Sequence, residues 1–215
     1  MASKSDVMTR VEASGAVAVL RGVPGEQIVP VAEALLAGGV TALEVTADNP
    51  DAIEMIADLD AAVGDEAVIG AGTVLDSSTA VDAIRAGAEF VVAPHFDPEV
   101  VDTCNRYGTV VAPGIYTPTE AVEAAEQGAD FLKLFPASSA GSGHLSSIRG
   151  ALGQLEIMPT GGIGPDNAGE FVESGAFVVG AGGALVDGGA IEREEYEVLT
   201  ENAEELVAAV ESARE

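Results

Sequence analysis

The chain has 215 residues, 47% of them hydrophobic, and carries 36 acidic against 9 basic residues for a formal charge of −27. That charge repels nucleic acid and anionic lipid, which excludes both as partners, while the apolar content is too high for a disordered acidic segment. One cysteine, Cys104, leaves no intrachain disulfide, and the length fits one domain or at most two.

A folded protein this acidic is expected in a high-salt cytoplasm, where a Debye length of about 3 Å at molar salt screens self-repulsion. Surface lysine then gives way to Asp and Glu, and only Lys4 and Lys133 occur in the whole chain. Loss of structure or activity on removal of salt is the corresponding expectation.

The N-terminus, MASKSDVMTR, has no apolar stretch and reads as a polar tail or short helix, not a secretory signal. No apolar run approaches the roughly 18 residues of a membrane span, so a cytoplasmic location is expected. The first buried strand is read at Ala16–Arg21, followed by a helix whose apolar face is Val29, Ala32, Ala34, Leu35 and Leu36. Strands are read next at Ala42–Thr46 and Ala67–Thr73. A second helix with Ala80, Val81, Ala83 and Ile84 follows, then a strand at Phe90–Pro94. Cys104 falls in a helix, where a packing role is the default. A strand at Val110–Ile115 leads to a helix start at Thr117-Pro118-Thr119-Glu120.

The strand Phe131–Pro136 contains Lys133 and is followed by a short Ser/Gly-rich piece from Ser138 to Gly143. Strand Ile157–Gly162 precedes a helix start at Gly164-Pro165-Asp166-Asn167. The last strand is read at Phe177–Leu185, and a charged amphipathic helix runs from about Ile191. Four segments repeat one design: Leu36–Val40, Arg85–Phe90, Glu126–Phe131 and Glu173–Phe177 each put Gly just past a helix end and a strand soon after.

The apolar runs are continuous, as parallel strands covered on both faces should be. Eight strand–helix units without a linker predict a (β/α)₈ TIM barrel, a single domain over residues 1–215 with a closing C-terminal helix. An open doubly wound sheet is the alternative, weakened because no G-x-G-x-x-G follows the first strand.

Barrel chemistry collects at the C-terminal strand ends. Lys133 stands out there: a buried ammonium ion is costly, whereas a neutral, desolvated amine attacks carbonyls. The bland reading is a stem along apolar surface with its head in water. Glu44, between Leu43 and Val45, would be expensive as an unpaired core carboxylate. It either pairs with Lys133 or Arg21 or moves protons in the site. Arg21 offers a permanent cation for a carboxylate or phosphate, and a salt bridge to Glu44 is its bland alternative. Gly161, Gly162, Gly182 and Gly183 end adjacent strands and can present backbone N–H groups to a phosphate, or merely make turns. His95 lies near a strand end, where it could support the site, and His144 reads as a loop histidine. Neither has metal-ligand spacing, so no metal or cofactor is expected.

These pieces together resemble the bacterial and archaeal 2-keto-3-deoxy-6-phosphogluconate (KDPG) aldolase family, with its 6-phosphogalactonate relatives. The resemblance runs from about Val17 to Val186 and rests on several motifs in order. They are Ala37-Gly38-Gly39-Val40, Leu43-Glu44-Val45-Thr46, Gly70-Ala71-Gly72-Thr73-Val74-Leu75, Pro113-Gly114-Ile115, Lys133-Leu134-Phe135-Pro136-Ala137 and Pro159-Thr160-Gly161-Gly162-Ile163. It implies a class I, metal-free aldolase, usually a homotrimer, that cleaves the phosphorylated sugar acid to pyruvate and glyceraldehyde 3-phosphate. Lys133 would form the Schiff base and Glu44 would carry protons. Thr73 and an arginine would hold the pyruvate carboxylate, and Pro94 and Phe135 would line the site. The two Gly-Gly turns would hold the phosphate.

Two departures stand out. Many members carry arginine where this chain has Thr46-Ala47-Asp48-Asn49-Pro50, so carboxylate binding passes to Arg21, as in other members. A serine common in the last phosphate loop is Gly183 here, leaving backbone donors. Thr160 matches gluconate-type enzymes. Cleavage of the galactonate epimer or the unphosphorylated sugar acid, and a non-catalytic sugar-phosphate-binding barrel, are the competing readings.

Overall fold

The computed structural model describes residues 2–215. Helix α1 (Lys4–Ser14) comes first, where Ser3 and Asp6 cap one another's backbone and Val7 and Val11, one turn apart, are buried. Of the polar tail or short helix expected there, the structure has the helix, and Lys4 is tied down by Asp130 at 2.7 Å and Asn105 at 2.7 Å.

Strands and helices then alternate: β1 (Ala16–Leu20), α2 (Ile28–Ala37), β2 (Ala42–Thr46), α3 (Ala52–Val63), β3 (Val68–Gly72), α4 (Ser77–Ala86), β4 (Phe90–Val92), α5 (Pro98–Tyr107) and β5 (Val110–Ala112). The second half continues with β6 (Gly114–Ile115), α6 (Pro118–Gln127), β7 (Leu132–Leu134), α7 (Ala137–Ala140), α8 (Ser142–Ala151), β8 (Ile157–Pro159), α9 (Pro165–Glu173), β9 (Val179–Ala181), α10 (Gly188–Glu192) and α11 (Glu197–Arg214).

All strand pairs are parallel. One sheet runs β5-β4-β3-β2-β1-β9 and a smaller one β6-β7-β8. The two meet at a parallel bridge between Thr160 and Gly180, and on the other side β5 and β6 are separated only by Pro113. Proline has no N–H to give a ladder, so the predicted fifth strand divides there. The N–H of Ala93 donates to the Ala112 carbonyl at 3.1 Å, and that of Lys133 to the Pro113 carbonyl at 2.9 Å.

Three further expectations need correction. His144, read as a loop histidine, lies in a helix: Gly141 (φ 74°) separates α7 from α8, and Leu145 and Ile148 of α8 are buried. The last predicted strand is shorter than Phe177–Leu185, because the chain turns at Gly182, whose carbonyl accepts from the N–H of Leu185 at 2.8 Å. The terminal helix starts at Glu197, with Ile191 in the short α10. Of the four repeated glycine loops, Gly87 and Gly128 adopt the left-handed cap. In the other two the positive φ falls at Gly39 and Gly175, one residue beyond the cap.

The core has two parts. A large outer cluster packs the helices on the strands: Leu43 and Val45 of β2 lie in it with Leu35 of α2. A smaller inner cluster gathers Val17, Ala42, Val68, Phe90 and Val110 of the large sheet with Met158 of the small one and Phe131 just before β7, and Val7 and Val11 of α1 cover it. In β2, Ala42 therefore faces inward and Leu43 outward. By the two-residue period of a strand, Glu44 and Thr46 face inward as well. No helix is long and apolar enough to cross a membrane among the described residues.

Candidate active site

At the carboxyl ends of the strands is a cavity of about 450 Å³. It is lined by ten of the eleven predicted site residues: Arg21, Thr73, Pro94, Lys133, Phe135, Thr160, Gly161, Gly162, Gly182 and Gly183, joined by Val19. The eleventh, Glu44, is wholly buried and reaches the site through Lys133. These residues come from β1, β2 and β7 and from the turns that follow β1, β3, β4, β7, β8 and β9, so the parallel fold brings them together.

Lys133 Nζ lies 3.6 Å from Glu44 Oε1, and the two side chains are 6% and 0% exposed. The lysine does not snorkel. At 3.6 Å the contact is an ion pair without a good hydrogen bond, and neither oxygen of Glu44 has a hydrogen-bond partner. A buried carboxylate left this bare is costly. Space for it comes from Gly72: a Cβ there would lie 1.9 Å from Glu44 Oε1. The ring of Phe135 passes 5.5 Å from Lys133 Nζ and is half-exposed toward the cavity.

Thr160 and Thr46 also carry buried hydroxyls without partners. Thr160 faces the cavity beside Gly180, whose missing side chain leaves room for it: a Cβ there would meet Thr160 Oγ1 at 2.2 Å. Thr73 has a left-handed backbone, φ 56°, an uncommon place for a β-branched residue, of the kind found where function holds strain. Its hydroxyl accepts from Arg21 Nη2 at 2.7 Å.

Arg21 does not pair with Glu44. Its other amino group donates to Asp48, a residue that sequence reasoning passed over as the mere absence of an arginine. Gly72 and Val19 were missed too. The first has no side chain to attract notice, and the second is an ordinary strand residue. Gly161 and Gly162 have positive φ, as tight turns around a ligand do, whereas Gly182 and Gly183 do not. Gly162, Gly182 and Gly183 also border a neighbouring hollow that extends toward the start of α9.

The remaining candidates stand apart. His95 is exposed and does not line the cavity. His144 belongs to α8, stacks on Tyr116 with centroids 5.0 Å apart and bonds the Tyr116 carbonyl at 2.7 Å. Burial pushes the Cys104 thiol up to about 12, so no thiolate forms near neutral pH.

An enclosed amine beside a buried carboxylate, with a permanent cation at the rim, is the equipment of an α/β enzyme for carbonyl chemistry on an anionic substrate. Comparison with known proteins narrows this. The family model described as "Aldolase: KDPG and KHG aldolase" matches residues 7–202. The chain is 34% identical over 175 residues to the 2-dehydro-3-deoxy-6-phosphogalactonate aldolase of Escherichia coli (strain K12), covering 80% of this chain and 85% of that one. It is 36% identical over 176 residues to the 2-dehydro-3-deoxy-phosphogluconate aldolase of Treponema pallidum (strain Nichols), covering 81% and 83%. Among solved structures, the KDPG aldolase of Legionella pneumophila superimposes with a TM-score of 0.87 at 32% identity over 93% of this chain and 97% of that one. That crystal holds pyruvate captured at low pH as a covalent carbinolamine intermediate. The chain belongs to the KDPG and KHG aldolase family.

Proposed function

We propose that this aldolase cleaves 2-keto-3-deoxy-6-phosphogluconate to pyruvate and glyceraldehyde 3-phosphate through an imine on Lys133. The observation that carries the reading is the enclosed Lys133–Glu44 pair, 3.6 Å apart.

Neutral Lys133 adds to the C2 ketone, and protonation of the hydroxyl by Glu44 lets water leave, giving the iminium. Glu44, now a carboxylate, takes the proton of the C4 hydroxyl. The C3–C4 bond breaks, its electron pair enters the iminium, and the aldehyde departs while an enamine of pyruvate stays on Lys133. Return of the proton to C3 and hydrolysis release pyruvate and the free amine. The iminium is the electron sink, and holding amine, carboxylate and ketone together supplies the proximity.

Arg21 and Thr73 bind the carboxylate of the substrate in this reading. Pro94 and Phe135 wall the reacting carbons, and Thr160 offers its free hydroxyl to the sugar acid. Backbone N–H groups around Gly161, Gly162, Gly182 and Gly183 receive the phosphate. That hydroxyl favours the gluconate over the galactonate epimer, and relative rates on the two epimers and the unphosphorylated acid test the preference.

The same reading takes the two sheets as one closed (β/α)₈ barrel and a single domain, closed at its foot by α1. A homotrimer working in a salty cytoplasm goes with it. Support for the last point is the charge of −27; full activity and an unchanged Tm in dilute buffer would contradict it.

Reduction with borohydride in the presence of pyruvate tests the chemistry. A mass adduct on Lys133, missing in Lys133→Met, is expected. Its absence under conditions where the enzyme is folded would sink the aldolase reading in favour of a barrel that only binds.

A further inference from the structure

Arg21 and Lys133 are the two cationic side chains lining the cavity. Arg21 sits just beyond β1, and its side chain is 55% exposed, so little packing holds it. A long, solvated side chain with several rotors does not keep its head group in one place unaided. Two contacts do so here. One amino group donates to the Asp48 carboxylate and the other, at 2.7 Å, to the Thr73 hydroxyl. Thr73 lines the cavity, whereas Asp48 does not.

Asp48 is itself held in register with Arg21. The side chain of its neighbour Asn49 donates to the Val23 carbonyl at 3.1 Å, tying the loop after β2 to the loop after β1. The Asn49 N–H donates to the Thr46 carbonyl at 3.0 Å, and its side-chain oxygen accepts from the Asp51 N–H at 3.0 Å. The loop that presents Asp48 and the loop that carries Arg21 are thereby joined by a link that does not depend on the ion pair.

We propose that Asp48 is a positioning residue that holds the Arg21 guanidinium against Thr73, so that the two present a preset receptor to the 2-keto acid carboxylate. This deepens the proposed function and rests on it. The guanidinium has five N–H groups, so donors remain after Asp48 and Thr73 are served. The Thr73 hydroxyl, having accepted from Arg21, is left with its own proton to donate. The Asp48 carboxylate also balances the arginine's charge, so recognition rests on where the donors point more than on net attraction. Preorganising a charge-assisted contact improves binding of the group it meets and leaves the bond-breaking step alone.

The condensation direction separates the two substrates, because pyruvate carries the carboxylate and glyceraldehyde 3-phosphate does not. In Asp48→Asn the KM for pyruvate should rise about tenfold, the effect expected for weakening one charge-assisted contact. The pyruvate concentration for half-maximal borohydride trapping should rise in step. The aldehyde KM and kcat should stay within about twofold of wild type, and Asp48→Glu, which keeps the charge, should fall between the two enzymes. An unchanged or lowered pyruvate KM in Asp48→Asn would overturn the proposal. So would a parallel rise in both KM values, or identical behaviour of the Asn and Glu variants. If wild type itself cannot be trapped with pyruvate, the aldolase reading fails and this proposal with it. If wild type traps normally and Asp48→Asn matches it, only the role of Asp48 fails.

Discussion

The two ends of the interior between the sheets follow opposite rules. At the end where the strands begin, Val17, Ala42, Val68, Phe90 and Phe131 form a dry apolar cluster under α1. At the end where they finish, Glu44, Thr46 and Thr160 carry buried oxygens that no protein group satisfies, next to a buried amine. The same strands supply both. Ala42 is followed two residues later by Glu44, and Phe131 by Lys133. One inward step along a strand thus separates packing from chemistry. The costly polar groups are affordable because the apolar layer beneath them and the larger outer cluster hold the strands in place.

The largest test of that division is Glu44→Gln. Activity should fall roughly 100- to 10,000-fold, the range for loss of a positioned acid–base group. The melting temperature should change by only a few degrees, because relief of a carboxylate without hydrogen bonds offsets loss of the ion pair with Lys133. A variant that melted much earlier would show that Glu44 holds the fold together.

The inward glycines of β3 give a finer comparison. A Cβ on Gly72 would strike the Glu44 carboxylate, 1.9 Å away, while one on Gly70 would strike the Phe90 ring at 2.3 Å. Gly72→Ala should therefore lower kcat by at least about tenfold through displacement of Glu44. Gly70→Ala should mainly cost stability, about 1–3 kcal/mol from overpacking. Steady-state kinetics and thermal melts on both variants measure the two effects, and the division would break if the effects were interchanged.

The smallest effect belongs to the capped start of α6, outside both interior layers. The Tyr116 N–H, then the Thr117 hydroxyl and N–H, hold the Glu120 carboxyl below the usual carboxylate range. A lowered folded pKa means that the stabilisation is present above the unfolded value. It is lost as pH falls through the lowered one. Glu120→Gln should cost less than about 1 kcal/mol at neutral pH, since the contacts are largely solvated. Its melting curve should converge with that of wild type in acid, and kinetics should not change.

Sequence reasoning reached the upper layer more easily than the details that set it up. Lys133 and Glu44 could be read because charged residues inside continuous apolar runs conflict with burial, and such a conflict is visible locally. Strand ends followed from the glycine caps, which also mark themselves by residue type. Asp48 could not be found this way. Its meaning is a contact with Arg21, 27 residues away, and an exposed aspartate in a turn looks like any other. Helix α1 was legible only as a tail or short helix, because Val7 and Val11 are its buried apolar residues and their partners lie in strands further along. His144 read as a loop residue because the serines and glycines before it gave no apolar period, whereas they begin and end two short helices in succession.

Pro113 has a further consequence. It lies where the strands divide into two sheets, and Lys133 belongs to one while Glu44 belongs to the other. The gap between amine and carboxylate therefore spans two sheets, joined on one side by the Gly114 N–H on the His95 carbonyl at 3.1 Å and on the other by the Phe177 N–H on the Ile157 carbonyl at 2.9 Å. A substitution that shifts either of these seams should therefore change the 3.6 Å separation without altering either reactive group.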